Sequence, residues 1–391
     1  MSGKAIPQCI LIADDLAGAC DTGVQFVLRG LSCDVQTISD SGLSFPSADV
    51  VAFNTDSRCD SAAVARDKIQ KISNDCSGVE PRVLLKKIDS TLRGNVGWEI
   101  SAALEYFRRD YAIVAPAVPA MQRIVRGGML QWSDCSGSGS VEIRKLLEQQ
   151  GISRKHTASI SMRASDRTGF SSALGASVAN GAKVVIVDCE SQDDIHMLVA
   201  DATALTPSPL WVGAAGLGMA LANRVKRPVP PALRPSTPAG PVVFCIGSTH
   251  SVTSIQCEKL AANSNLFELA PVPDNIESAR AAIGEGRHLL LRIGRAPSVE
   301  PSITEFFAGL QGLPIGGVVM TGGDTASIVC RALGARSIQL RAEISVGFPW
   351  GILRDGIWDG FPVGIKSGGF GDDHALLRSA EFFADMREGA R

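Results

Sequence analysis

Four short polar segments carry the residues that could do chemistry in this chain. They are Asp14 and Asp15 in LIADDLAGACDTG, the cluster Lys86, Lys87, Asp89, Ser90, Thr91 and Arg93 in LLKKIDSTLRGNVG, the turn MTGGDTA, and IKSGGFGDD. Adjacent carboxylates at a strand end can bind substrate hydroxyls, hold magnesium through water, or take a proton. One of such a pair can instead cap the next helix. In the second segment cation, carboxylate and hydroxyl alternate beside an apolar run. Arginine grips carboxylates through two parallel hydrogen bonds, and lysine acts as a point charge toward phosphate or carboxylate. That pattern points to ligand contact, with a salt-bridged local turn as the alternative. Arg58, in VAFNTDSRCD, also follows an apolar run and could be a further carboxylate clamp.

The second half carries glycine instead. CIGSTHSVT, MTGGDTASIV and KSGGFGDD each put glycine beside hydroxyls or a lysine directly after a strand-like run. Bare backbone N–H groups there can approach phosphate oxygens, and a following helix start favours negative charge. Neither GxxxxGK[ST] nor a strand-following GxGxxG is present, so the signal is three tight turns that together suggest a nucleotide.

The elements that must position these residues are buried parallel strands. QCILIAD, DVVAFN, RVLLKK, YAIVAPA, KVVIVDC and LWVGAAG are short apolar runs separated by helix-like stretches. This alternation predicts a mostly parallel sheet covered by helices, with its ligand outside the carboxyl ends of the strands. A helix is expected from Gly97 to Arg108, and a loop with a short helix from Gln131 to Ser161. The proline-dense stretch from Arg224 to Pro241 cannot be helix or central strand and reads as a linker. Beyond it PVVFCIGS, HLLLRIG, GGVVMTGG, SIQL and FPVGIKSG repeat the pattern. The expected class is α/β, in two domains with mostly parallel sheets.

Composition narrows the function. A chain of 391 residues is long enough for two cores. With 38 basic and 40 acidic residues and no basic cluster, nucleic-acid and membrane-surface roles have no electrostatic support. The amino-terminal run is too short and too soon interrupted by charge for a signal peptide or membrane span, so a cytoplasmic protein is expected. Ten scattered cysteines without a CxxC pair read as reduced core residues, and five histidines show no zinc spacing.

In order along nearly the whole chain, ADDLAGACD, TDSR, KKIDSTLRGN, APAVPAMQR, GAAGL, GSTHSVTSIQ, GGDTA, GFPWG and KSGGFG resemble the four-carbon acid sugar kinases. The resemblance implies a sugar-acid domain over 1–226, a linker over 227–240 and a nucleotide domain over 241–391, with the active site in the cleft between the domains. It implies transfer of phosphate from ATP, with Mg2+, to the terminal C4 hydroxyl of threonate, erythronate or 3-oxo-tetronate. It also implies a homodimer. Carried over by residue, the substrate side would use Asp14 or Asp15, Arg58, Lys87, Ile88, Asp89, Ser90 and Arg93. The nucleotide side would use Ser248, Gly322, Gly323, Asp324, Thr325, Lys366, Gly368 and Gly369. Either Asp15 or Asp89 would accept the hydroxyl proton, and Arg58 or Arg93 would hold the acid. Ala17, Gln122 and Ala214 stand where the family usually has threonine, glycine and serine. Those three departures motivate one competing reading, a sugar-acid sensor that has lost turnover. A dinucleotide oxidoreductase is a weaker competitor, since the glycine fingerprint is missing.

Overall fold

The computed structural model describes residues 6–37, 47–134, 137–162, 169–202, 208–227, 240–294 and 299–385. The chain divides into two compact units: Met1–Cys33 with Ser39–Val229, and Asp34–Ile38 with Pro230–Arg391.

In the first unit the chain runs β1 (Cys9–Ala13), α1 (Leu16–Val27), the start of β2 (Cys33–Gln36), β3 (Val50–Asn54), α2 (Ala62–Asp75), β4 (Val83–Lys87), α3 (Val96–Tyr106) and β5 (Ala112–Ala115). It continues through β6 (Arg123–Arg126), β7 (Met129–Asp134), β8 (Gly137–Glu142), α4 (Ile143–Gln149), β9 (Thr157–Ser161), α5 (Phe170–Ala179), β10 (Val184–Asp188), α6 (Gln192–Ala202), β11 (Leu210–Gly213) and α7 (Ala215–Val225). Seven strands form one parallel array in the order β3-β1-β4-β11-β5-β10-β9. Every residue of β1, β3, β4, β5 and β11 is buried, as strands covered on both faces must be. Helix α1 packs on α7 closely enough that a Cβ at Gly218 would lie 2.5 Å from the Thr22 methyl.

The stretch from Gln131 to Ser161 holds the expected short helix, α4, but strands where a loop was expected. Strands β6, β7 and β8 form a separate antiparallel meander, with β9 following α4. Its pattern is hard to read because few of its residues, among them Val125 and Leu130, are buried, and β8, which opens GSGS, has no buried position. Gly139 is required there because a side chain would run into the Trp132 ring.

The second unit comprises β12 (Val242–Ile246), α8 (Ser251–Asn263), β13 (Leu266–Leu269), α9 (Ile276–Gly284), β14 (His288–Arg292), α10 (Val299–Gly309), β15 (Gly317–Thr321), α11 (Gly323–Ala332), β16 (Ser337–Ser345), β17 (Phe348–Arg354), β18 (Pro362–Lys366) and α12 (Ala375–Asp385). Strands β13-β14-β12-β15-β18 are parallel, and β17 and β16 then add antiparallel. The last strand of this sheet comes from far upstream: Asp34, Val35 and Gln36 pair antiparallel with Gln339, Ile338 and Ser337. Helices α8 and α12 pack together over a core that includes Phe244, Leu260, Val319, Phe348 and Phe383.

The proline-rich stretch lies outside the described residues from 228 to 239. Nine cysteines are described; none is in a disulfide, and all but Cys59 are buried, as core residues should be. Among the described residues no helix is long and apolar enough to cross a membrane.

Candidate active site

The carboxyl ends of β1, β3 and β4 deliver the first group of residues. Register sets them side by side, since Ala13 pairs with Asn54 on one side and with Lys87 on the other. Asp14 and Asp15 follow β1, Arg58 lies four residues beyond β3, and Lys87 ends β4 with Ile88, Asp89 and Ser90 after it. Asp15 is the N-cap of α1 and accepts the Gly18 N–H at 2.9 Å, so the capping role and the site role fall on one residue.

Arg58 binds both carboxylates of the first motif. Its Nε and Nη2 donate to the two oxygens of Asp14 at 2.8 Å each, and Nη1 donates to Asp15 at 2.9 Å. Asp89 stands 3.7 Å from the same guanidinium. Arg93 takes Asp89 in a second two-pronged pair, at 2.8 and 2.7 Å, and the Thr91 hydroxyl adds a bond at 2.5 Å. Both arginines proposed as clamps for an acid are therefore engaged by aspartates of the chain itself. Lys87 is different. Its buried ammonium donates to the Ile88 carbonyl at 3.0 Å, its one hydrogen bond among the described residues. Gly18 permits the arrangement, because a Cβ there would lie 2.5 Å from Asp15 and 2.8 Å from the Lys87 ammonium.

The surroundings shift Asp15 one way and Asp14 and Asp89 the other. Burial pushes the Asp14 carboxyl up, but Arg58 with Lys86 and Lys87 outweighs it and leaves the group below the usual range. Asp15 goes the other way: burial, with the charges of Asp14 and Asp89, raises it despite Arg58 and Lys87. Asp89 is buried too, but the hydrogen bonds and charge of Arg93 and Arg58 hold it far below the ordinary carboxylate value.

Ser57, Glu99 and Arg123, which join this cluster, are not singled out by the sequence. Lys86, on the strand beside Lys87, forms a fully buried pair with Glu99 of α3 at 2.8 Å. Glu99 also accepts from Ser57, and Arg123 donates to Ser90. Arg123 is aimed by a tight turn in which Val118 and Arg123 bridge each other and Gln122 takes a left-handed φ of 54°. That backbone explains why glycine suits position 122. Ala214 caps α7 in extended conformation with no side-chain bond to the helix, which is where serine would act. Ala17 is buried in the first turn of α1.

In the second unit three loops meet at the carboxyl ends of β12, β15 and β18. A side chain at Gly247 would strike the Thr325 hydroxyl, and one at Gly368 would strike Ser248. Gly369 packs against the His250 ring, where a Cβ would stand 3.0 Å from Nε2. Gly322 has φ 95° and caps α11, so the backbone of Gly323, Asp324 and Thr325 forms the helix's first turn, where N–H groups lack intrahelical partners. The Thr253 hydroxyl donates to the Gly368 carbonyl at 2.8 Å, and Gln256 donates to the carbonyls of Phe370 and Asp372. Lys366 is fully buried beneath this loop. Its ammonium donates to the carbonyls of Ser367, Gly368 and Phe370 at 2.9, 3.2 and 3.0 Å, so it braces the loop from behind. Burial draws it down to about 7.

Comparison with known proteins finds two domain models in the chain. Residues 9–221 match the model of a sugar-binding N-terminal domain, and residues 270–376 that of a nucleotide-binding C-terminal domain. A D-threonate kinase of Salmonella typhimurium is 30% identical, with 97% of this chain and 99% of that protein aligned. A D-threonate kinase of Bordetella bronchiseptica is 32% identical over 97% and 98%. A solved structure from Haemophilus influenzae shares the fold with a TM-score of 0.73 at 20% identity, covering 96% of this chain and 100% of that one. Joined domain models and full-length relatives of this kind lead to one conclusion: the chain belongs to the four-carbon acid sugar kinase family.

Proposed function

We propose that the protein is an ATP-dependent kinase that phosphorylates the C4 hydroxyl of a four-carbon acid sugar, with D-threonate the first substrate to test. The observation that carries this is the cluster of Asp14, Asp15, Arg58, Lys87 and Asp89, in a chain alignable end to end with D-threonate kinases. In the reaction the C4 oxygen forms a bond to the terminal phosphorus of ATP, the bond from that phosphorus to the bridging oxygen breaks, and ADP leaves. Such transfer asks the protein for alignment and charge neutralisation more than covalent chemistry.

Asp15 is the better base of the two aspartates considered. Its raised affinity for protons suits it to accept the hydroxyl proton, whereas Asp89 is tied to Arg93 and Thr91 and stays ionised. Arg58 and Arg93 then serve to set the aspartates, and Lys87 is the cation with donors left for the substrate's carboxylate. In the second unit the bare backbones at Gly322, Gly323, Gly368 and Gly369, with Ser248, Asp324 and Thr325, fit the phosphates of a nucleotide. Among the described residues no group of three or more His, Cys, Asp or Glu could hold a metal by itself, so magnesium would arrive on the nucleotide. There it would neutralise phosphate charge.

Phosphorus NMR of the product tests the reading. Phosphate on C4 couples to two carbon-bound protons and gives a triplet; a doublet would place it on a secondary hydroxyl and overturn the assignment.

A further inference from the structure

Behind the aspartates lies a polar network in which Lys86, Ser57 and Thr55 bond to backbone at the site and Glu99 joins Lys86 to Ser57. Lys86 and Glu99 are 0% and 1% exposed and form an ion pair at 2.8 Å. The Lys86 ammonium also donates to the carbonyl of Lys87 at 2.9 Å, and stands 3.4 Å from the Ile12 carbonyl, two residues before Asp14. The other Glu99 oxygen accepts from Ser57, the residue before Arg58. The Ser57 N–H donates to the Asp14 carbonyl at 3.1 Å, and its hydroxyl lies 2.6 Å from Thr55, whose own hydroxyl bonds the Ala13 carbonyl at 2.9 Å. The ends of β1, β3 and β4 are thus tied to one helix residue through a single charge pair.

A buried ion pair is a weak source of stability, because desolvation cancels most of the attraction and well-packed apolar residues do as well. Its distribution of bonds suggests another role. Here Glu99 joins Lys86 to Ser57, and those two bond in turn to the backbone of Ile12, Lys87 and Asp14. We infer that Lys86, Glu99 and Ser57 are positioning residues, which hold the exits of β1, β3 and β4 in the register where Arg58 closes on Asp14 and Asp15 and the Lys87 ammonium faces the substrate. The inference rests on the kinase reading for its catalytic consequence, but not for the geometry it asserts.

Two variants and two readouts test it. Ser57→Ala leaves both charges paired and removes the link from Glu99 to the Arg58 loop, together with the hydroxyl contact to Thr55. Lys86→Met with Glu99→Met replaces the pair by apolar side chains of similar length. The substrate-independent readout is the Arg58 Nε–H resonance in protein NMR, assigned by its loss in Arg58→Lys. In the parent its exchange with water should be slowed by the bond to Asp14. In both variants exchange should quicken at least tenfold while the melting temperature of Ser57→Ala stays within a few degrees of the parent. Turnover with D-threonate should show KM for the acid raised about tenfold or more and KM for ATP unchanged. An Arg58 signal as protected as the parent's in folded Ser57→Ala would overturn the inference, as would parental kinetics in the folded double variant. If the parent itself turned over no acid, the kinase reading would fall, and the Arg58 signal would still decide the positioning role.

Discussion

Asp15 carries the proposed chemistry because its neighbours make it the most proton-hungry of the three aspartates. A base must be ionised, so kcat/KM should rise with pH through a limb above the ordinary carboxylate value of about 4. Asp14→Asn removes one neighbouring negative charge and leaves Arg58 more fully to Asp15, and both changes lower the Asp15 value. The acid limb is therefore expected to move to lower pH in that variant, and a limb that stays put in a pH-rate profile would remove Asp15 from the role. Asp14, Asp15, Lys87 and Asp89 were visible in sequence because polar residues after a buried run stand out. Their partnering was not: the sequence offers Arg58 as a ligand for substrate, and only coordinates reveal that Asp14 and Asp15 occupy it. Glu99 is invisible for a similar reason, since nothing in GWEIS places a glutamate under a lysine thirteen residues upstream.

At the scale of elements, strand order and loop bracing matter most. The parallel strands were legible because burial on both faces forces continuous apolar runs, whereas the exposed meander of β6 to β8 gives no such signal. Lys366 illustrates a loop braced from behind. Lys366→Met removes three donors to the loop of Ser367, Gly368 and Phe370, and should weaken nucleotide binding at least tenfold in a fluorescent-ATP titration while acid binding by calorimetry is kept. Equal ATP affinity in the two proteins would mean that the loop holds its shape without the lysine. The uncapped start of α7 gives a stability prediction: Ala214→Ser should add about 1 kcal/mol in denaturant unfolding by supplying the missing N-cap acceptor. No gain would mean that the buried site at Ala214 has no room for the hydroxyl.

For the whole molecule, the sequence suggested a division at the prolines, but the structure's second unit includes Asp34–Ile38. No composition shift marks DVQT as belonging with residues about three hundred positions later, because strand pairing between distant segments leaves no local trace. The consequence is testable. A fragment of residues 240–391 leaves Ser337, Ile338 and Gln339 of β16 without their partner strand, an exposed edge of the kind that aggregates. It should elute as large species in size-exclusion chromatography, and a fusion that supplies residues 33–38 should restore a monodisperse peak. A well-behaved 240–391 fragment would show that the upstream strand is dispensable.

The central claim is best tested by ADP release from ATP and magnesium with D-threonate, L-threonate, both erythronates and 3-oxo-tetronate, beside neutral tetroses and an Asp15→Asn control. Turnover is expected with one or two of the acids, none with the neutral sugars, and a loss of at least a thousandfold in the control. Silence across all the acids, in protein that binds ATP, would contradict it and turn the reading toward a sugar-acid sensor.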